Sequence, residues 1–295
     1  MQAQRKAYLY ALLTVLLWST VASAFKLSLR YLKPAELLFY ASITSIAVLG
    51  LILAVQGRLR DIFSFTRGQY LSSLRLGFLN PFLYYLILFK AYDLLPAQVA
   101  QPLNYTWALT LAFLSIPLLK QKITAREIGA GVVCYLGVVV ISSRGSLVHF
   151  SAFDPWGVAL ALASTLVWSL SWILSTRDER DPVASLLLAF LSGLPFITVA
   201  ALLSSDIHVP DLRGILGAAY VGTFEMGITF VFWLKALKLS ENTARVGNLI
   251  FLSPFLSLVF IHFLVGEEIF ASTFVGLILI IAGLLVQRTG KRAAG

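Results

Sequence analysis

Charged residues and cysteine are both scarce in this sequence. Only 13% of the 295 residues are charged, whereas soluble domains carry about 25%. Hydrophobic residues make up 59% of the chain, which is more apolar surface than one water-soluble core can bury. The only cysteine, Cys134, excludes a disulfide framework and a thiolate metal site. We therefore expect lipid to solvate most of the chain.

The sequence also lacks the patterns that enzymes and nucleotide-driven pumps use. No G-x-S-x-G, H-E-x-x-H or P-loop pattern occurs, and only His262 of the three histidines lies in an apolar run. The net charge of +9 comes from dispersed Lys and Arg residues rather than from one basic face. An enzyme, a cofactor or metal, and a nucleic-acid partner are therefore disfavoured. A channel is disfavoured too, because no ring of charges or carbonyls can be traced.

Apolar runs long enough to cross a bilayer as helices recur along the whole chain. Crossing the hydrocarbon takes about 20 mostly apolar residues. This length predicts an all-α integral membrane protein with ten spans: 8–27, 35–55, 70–91, 97–118, 126–143, 155–175, 183–204, 213–235, 244–265 and 270–288. The first span also has features of a signal peptide, with Arg5 and Lys6 before the apolar run and Ala22–Ala24 as a possible cleavage site.

The two halves of the sequence resemble each other. Residues 11–19 read ALLTVLLWS and residues 161–169 read ALASTLVWS, so the signal-peptide interpretation of the first span is disfavoured. Further matches recur in the same order at offsets of 145 or 146: Gly77 with Gly222, Lys90-Ala91 with Lys235-Ala236, and Gly137 with Gly283. Chance similarity between leucine-rich spans is the alternative. We expect one five-helix repeat over 1–145 and a second over 146–295.

An odd number of spans in each repeat has a consequence for orientation. The second repeat must be inverted in the membrane, and inverted repeats create a midplane site that opens to either side by rocking. With the N-terminus in the cytoplasm, 17 of the 23 Lys and Arg residues fall in inside segments, which predicts that both termini are cytoplasmic. The pattern favours a secondary transporter that works by alternating access.

These features resemble a known family. Trp-Ser lies near the end of spans 1 and 6, Lys-Ala ends spans 3 and 8, and small residues recur seven apart in spans 5 and 10: Ala130 with Gly137, and Gly276 with Gly283. The chain is similar to EamA-type members of the drug/metabolite transporter superfamily, and among them to the YddG-type aromatic amino-acid exporters. The resemblance implies a bacterial inner-membrane location, with spans 1, 3, 4, 6, 8 and 9 around a central cavity.

Polar side chains inside the predicted spans mark candidate cavity residues, because they are costly in lipid unless they are paired or face water. Those in spans 3, 4 and 9 are Asn80, Tyr84, Gln98, Gln101, Tyr105 and Asn248. Interhelical hydrogen bonds that only hold the bundle together are the alternative. Glu225 lies near the middle of span 8 and aligns with Asn80. It either binds a substrate ammonium group, exchanges protons, or fixes helix packing.

Trp18 and Trp168 occupy matching places in the two repeats. Such rings stack on an aromatic substrate or attract an organic cation, although tryptophan also anchors helices at membrane interfaces. The sequence therefore predicts export of small amphiphilic metabolites, aromatic and other amino acids first, with organic cations as the alternative. Pro81, Pro102 and Pro254 are candidate hinges. The expected partners are lipid and a small solute, and the expected state is a monomer, with a homodimer left open.

Overall fold

The protein is described by a computed structural model that covers residues 2–119, 125–143, 153–175, 178–204, 210–240 and 249–290. Within these ranges all regular secondary structure is helical, and no strand occurs. Six helical stretches in the described part are long and apolar enough to cross a membrane: Ala3–Ser28, Pro34–Val55, Arg67–Leu94, Pro155–Ser175, Pro182–Ser204 and Leu212–Trp233. Shorter apolar helices cover Ile128–Ser142, Leu249–Val265 and Ala271–Val286.

We number the α-helices along the chain. The first half contributes α1 (Gln2–Ser28), α2 (Pro34–Val55), α3 (Arg67–Gly77), α4 (Tyr84–Leu94), α5 (Ala97–Tyr105), α6 (Trp107–Leu119) and α7 (Ala125–Ser142). The second half contributes α8 (Pro155–Ser175), α9 (Pro182–Ser204), α10 (Leu212–Tyr220), α11 (Ile228–Leu239), α12 (Ser253–Phe260) and α13 (Ala271–Gly290). Shorter helical turns complete the described elements: 3₁₀ turns at Leu59–Phe63 and Leu249–Leu252, and π turns at Phe78–Leu83, Val221–Glu225 and Ile261–Val265.

Several helices begin with residues that satisfy the N–H groups of the first turn, which lack partners within the helix. The Thr66 hydroxyl accepts the backbone N–H of Gln69, whose side chain accepts the Thr66 N–H in return, which forms a capping box at α3. Pro34 opens α2, where a missing N–H has no cost. Asp154 and Asp211 accept N–H groups in the first turns of α8 and α10. These signals fix where each apolar run begins as a helix.

Two long apolar stretches are interrupted at positions that align in the repeat. Between α3 and α4, Asn80 has an extended backbone (φ −145°, ψ 113°) and Pro81 follows it. Between α10 and α11, a π turn ends at Glu225, and the next carbonyl, that of Met226, accepts a hydrogen bond from Ser45 Oγ at 2.9 Å. Interruptions of this kind are frequent at functional sites.

Helices α7 and α13 pack against each other through residues without bulky side chains. A Cβ atom at Gly137 would lie 2.5 Å from the carbonyl oxygen of Gly276, and one at Gly283 would lie 2.7 Å from that of Ala130. The chain therefore runs in opposite directions in the two helices. Such close backbone contact is how helices associate in lipid, where there is no hydrophobic force between them.

A second pair of repeat-related glycines makes reciprocal contacts between the two halves. Gly77, at the end of α3, lies against the carbonyl oxygen of Ala189 in α9. Its repeat partner Gly222, in the π turn after α10, lies against the carbonyl oxygen of Ala41 in α2. Each half thus packs its own glycine onto a helix of the other half, α9 or α2, where any larger side chain would collide with backbone.

Replacing Gly137 by alanine should destabilise the protein. The added methyl group would overlap the Gly276 carbonyl, and overpacking of this kind costs about 1–3 kcal/mol. Gly129 is the matched control on the same helix, because a Cβ there has no neighbour within 4 Å. We expect a lower melting temperature in detergent for Gly137→Ala and for its counterpart Gly283→Ala, and no loss for Gly129→Ala. Equal melting of all three variants would contradict the close packing.

Candidate functional site

A cavity of about 100 Å³, the central cavity, lies among α1, α4, α5, α8 and α11. Most of its wall is aromatic: Trp18, Phe25, Tyr84, Tyr92, Tyr105, Trp107, Trp168 and Phe230. Its polar lining side chains are those of Gln101, Asn104 and Glu225. No lysine, arginine or histidine is among the described residues that line it. The described wall of the chamber is therefore mostly aromatic, and Glu225 supplies the one carboxyl group among these residues.

Glu225 is held by neutral groups. The Tyr85 hydroxyl donates a hydrogen bond to its Oε1 at 3.1 Å. The Trp18 indole nitrogen lies beside the same carboxyl group, without a hydrogen bond of regular geometry. Among the described residues, none of the ion pairs includes Glu225. A buried charge is costly unless it is paired, so a cation that entered the cavity would stabilise the Glu225 carboxylate.

Three buried polar atoms on the cavity wall have no hydrogen-bond partner: the acceptor Gln101 Oε1 and the donors Trp18 Nε1 and Trp168 Nε1. Buried polar atoms are nearly always paired in proteins, so all three are available to a solute. Asn104, in contrast, is already engaged. Its Oδ1 accepts from the Tyr84 hydroxyl at 3.3 Å, and its Nδ2 donates to Ser164 Oγ at 3.0 Å.

Trp18 and Trp168, the two tryptophans that the repeat relates, both contact the ring of Phe230. The Phe230 ring centroid lies 5.6 Å from that of Trp18, edge to face, and 6.2 Å from that of Trp168. The Trp168 ring centroid also lies 4.6 Å from that of the Tyr84 ring. Clustered rings of this kind offer π faces that bind an aromatic group or a cation.

A second cavity of about 240 Å³, the vestibule, adjoins the first, and Trp168 and Phe230 line both. The vestibule extends past Asn80 and Trp172 toward the loop that joins α8 to α9. It ends at a pair of opposite charges, Asp178 and Arg180, together with the hydroxyl groups of Ser171, Ser175 and Ser185. The Trp168 and Phe230 rings therefore separate the central cavity from the vestibule, which extends to one end of the bundle.

The ion pair at the end of the vestibule is fully engaged. Arg180, whose side chain is 2% exposed, donates to Asp178 Oδ2 at 2.7 Å and to Ser73 Oγ at 2.7 Å. Burial alone would raise the pKa of Asp178, but hydrogen bonds from Arg180 and Ser185 outweigh it and hold that pKa below its usual value. Asp178 therefore stays ionised at neutral pH, and the bond from Arg180 to Ser73 ties the loop to α3.

Of the candidate cavity residues predicted from the sequence, those that the structure places around the central cavity are Trp18, Tyr84, Gln101, Tyr105, Trp168 and Glu225. Asn80 lines the vestibule instead. Gln98 lies away from both cavities, toward the opposite end of the bundle, where its amide is bonded to the segment before α13. Asn248 lies outside the described residues.

The three candidate hinges lie at or near helix boundaries. Pro81 directly follows the interruption at Asn80, and Pro102 lies in the last part of α5, which ends just before Thr106. Pro254 occupies the first turn of α12. Phe230, which lines both cavities, is not predicted from the sequence. A phenylalanine within an apolar run gives no signal that separates a cavity wall from a lipid-facing surface.

Comparison with known proteins places the chain in a family of transporters. The EamA-like transporter family matches residues 5–143 and again residues 155–288. An Archaeoglobus fulgidus protein named as an uncharacterized transporter is 25% identical, over 95% of this chain and 96% of its own. The Bacillus subtilis protein named as the uncharacterized transporter YvbV is 24% identical, over 98% and 93% respectively.

A solved crystal structure shares the fold, with a TM-score of 0.69 at 21% identity, and the match covers 97% of this chain and 98% of that one. In Escherichia coli, a protein named as the uncharacterized inner membrane transporter YhbE is 23% identical over 54% of this chain and 50% of its own length. The helical membrane architecture, the cavity and the two family matches agree, and the chain belongs to the EamA-like transporter family.

Proposed function

We propose that this protein is a secondary transporter that exports small amphiphilic metabolites carrying an ammonium group, aromatic amino acids first among them. The observation that carries the proposal is the central cavity, where Glu225 faces aromatic rings and has no cationic partner among the described residues. An ammonium group would form an ion pair with the carboxylate. An aromatic or apolar body would pack between Trp18, Trp168 and Tyr84.

Electrostatics favours a cationic group over an anionic one in this chamber. Two unit charges 4 Å apart attract by about 4 kcal/mol at an effective dielectric constant of 20, and a cation over an aromatic face adds about 0.5–2 kcal/mol. The unpartnered carbonyl oxygen of Gln101 can accept one of the ammonium N–H groups. An anion, such as a phosphorylated solute, would meet only repulsion from Glu225.

A zwitterionic amino acid needs a donor for its carboxylate as well. The cavity wall has two unpartnered indole N–H donors, those of Trp18 and Trp168. That of Trp18 lies beside Glu225, so Trp168 supplies the donor for a carboxylate. A solute that spans Glu225 and Trp168 would therefore place its two charged groups on complementary partners. This arrangement favours amino acids within the class of ammonium compounds.

An exporter of organic cations is the second candidate function. It is favoured by the absence of any lysine or arginine among the described residues of the cavity wall, because amino-acid carboxylates usually bind a full positive charge or several donors. The two candidates share the role of Glu225 and differ in the role of Trp168 Nε1. That difference makes them separable by one substitution.

Alternating access follows from the proposed inverted repeat of ten spans. The reciprocal glycine contacts between the halves, the antiparallel pairing of α7 with α13 and the twofold match of one family to the chain support it. The unequal distribution of Lys and Arg supports cytoplasmic termini. In this orientation the vestibule opens to the cytoplasm, and rocking of the halves would open the central cavity to the other side.

Glu225→Gln should abolish most transport of ammonium solutes. The substitution keeps the shape of the side chain and removes the charge that pairs with the solute, so we expect kcat/KM to fall by about tenfold or more. The measurement is uptake of tryptophan and of a quaternary ammonium compound into liposomes containing purified protein. Glu179→Gln, at an exposed loop position, is the control and should transport normally. Wild-type rates in Glu225→Gln for every solute would refute the proposal.

Trp168→Phe should separate the two candidate functions. It keeps an aromatic ring but removes the indole donor, so an amino acid should lose several-fold in affinity while the corresponding amine without a carboxylate should not. Trp168→Ala should impair both solutes, because the ring that lines both cavities is lost. Trp156, which lies on the same helix with 63% of its surface exposed, supplies the control variant Trp156→Ala. An equal loss of both solutes in Trp168→Phe would favour the organic-cation exporter.

A further inference from the structure

The end of the bundle opposite the vestibule contains a lysine in an unusual position. Lys26, in the last turn of α1, donates from Nζ to the carbonyl oxygens of Tyr92 at 2.7 Å and Leu95 at 2.8 Å. Both carbonyls belong to the C-terminal end of α4. Carbonyls at a helix end lack intrahelical partners, and a cation there is stabilised by the helix dipole.

At the start of the next helix, α5, the charged group that binds the helix end is an anion. Glu267, in the segment between Gly266 and α13, accepts the backbone N–H of Ala97 at 2.8 Å and of Gln98 at 3.1 Å. These groups are the first N–H donors of α5. An anion at a helix N-terminus is stabilised by the dipole in the same way. The turn from α4 to α5 is therefore held between a cation and an anion.

Gln98 adds a bridge between the two halves. Its Nε2 donates to the carbonyl of Glu268 at 2.7 Å, and its Oε1 accepts from the N–H of Phe270 at 2.9 Å and from Thr273 Oγ1 at 3.2 Å. Every bond joins the first half of the chain to the second. We call Lys26, Gln98 and Glu267, with the groups that they bond, the clamp.

The clamp closes the central cavity at this end. Phe25, which precedes Lys26, and Tyr92, whose carbonyl Lys26 binds, both line the cavity. Their rings contact each other edge to face, with centroids 5.2 Å apart. A solute could leave toward this side only if α1, α4 and the segment before α13 separated, which would break the charge-assisted bonds of the clamp.

The repeat shows that the two charges of the clamp are specific to one half. At the offset of 150 that relates residues 11–19 to 161–169, Lys26 corresponds to Thr176, and at the offset of 146 Glu267 corresponds to Gln121. Neither counterpart is charged. A scaffold whose two halves differ in this way has unequal preferences for its two open states.

We propose that Lys26 and Glu267 are positioning residues that hold the transport path shut at the end away from the vestibule, so that the resting protein is open toward the vestibule. This inference rests on the alternating-access part of the proposed function and is independent of the solute. Loss of either charge removes charge-assisted hydrogen bonds to a helix end and shifts the resting population toward the opposite opening.

Thiol labelling measures that shift. Cys134 is the only cysteine, so a Cys134→Ala background carrying Val21→Cys reports access to the central cavity, which Val21 lines. A membrane-impermeant maleimide is added separately to right-side-out and inside-out vesicles. From the face on which Lys26 lies, we expect labelling about tenfold faster in Glu267→Gln and in Lys26→Met, as the loss of one charged hydrogen bond predicts.

Glu268→Gln is the matched control, because Glu268 contributes only its backbone carbonyl to the clamp. It should label at the background rate. Gln98→Ala breaks the bridge without removing a charge, and it should accelerate labelling even if a charge variant fails to accumulate. Ser171→Cys, in the vestibule, should label more slowly from the opposite face in the same clamp variants.

Two outcomes would overturn the inference. One is an unchanged Val21→Cys labelling rate in Glu267→Gln, Lys26→Met and Gln98→Ala. The other is faster labelling from both faces together, which indicates loosened packing rather than a shift between two states. The assay contains no solute, so a failure here leaves the assignment of Glu225 to an ammonium group intact, and normal transport by Glu225→Gln would leave the clamp intact.

Discussion

Hydrocarbon supplies no hydrogen-bond partners, and this constraint governs where the chain can be irregular. Backbone N–H and C=O groups in lipid must be satisfied within the protein, so the described chain is helical wherever it is regular, and irregular backbone is tolerated where protein or a cavity provides partners. Asn80 and Glu225 lie at two such breaks, next to a cavity. The site therefore lies where the regular α-helical backbone is interrupted.

Much of the fold follows from local properties of the sequence. Apolar runs and their caps, such as Thr66 with Gln69, locate the helices, and the internal repeat brings Trp18 and Trp168 to one chamber. Gln98 and Gln101 show where such reasoning ends. They share a helical face, yet one engages the segment before α13 and the other lines the cavity, because depth along the helix depends on tertiary packing. Lys26 ends an apolar run, a position from which a long cationic side chain commonly reaches to lipid headgroups. In the structure its Nζ instead binds the carbonyl oxygens of Tyr92 and Leu95, and the sequence gives no sign of this contact.

Symmetry and its violations have different roles in this molecule. Gly77 packs on α9 and Gly222 on α2, and equivalent contacts of this kind would give the two open states of the proposed alternating-access cycle similar energies. In that proposal, solute chemistry and transport direction depend on the positions where the repeat differs. Asn80 in one half corresponds to Glu225 in the other, so only one half provides a carboxylate. The charges of the clamp likewise lack counterparts.

Helix α4 joins these two asymmetric features. Near its start, the Tyr85 hydroxyl binds Glu225; at its end, the carbonyls of Tyr92 and Leu95 bind Lys26. A helix of this length is rigid, and energetic coupling requires an element whose position both sites bias. Under the proposed function, a solute ammonium group that binds Glu225 would compete with Tyr85 for the same carboxylate. Occupancy of the cavity would then change what holds α4 at one end, while the proposed clamp holds it at the other, and α4 would connect solute binding to the choice of open side.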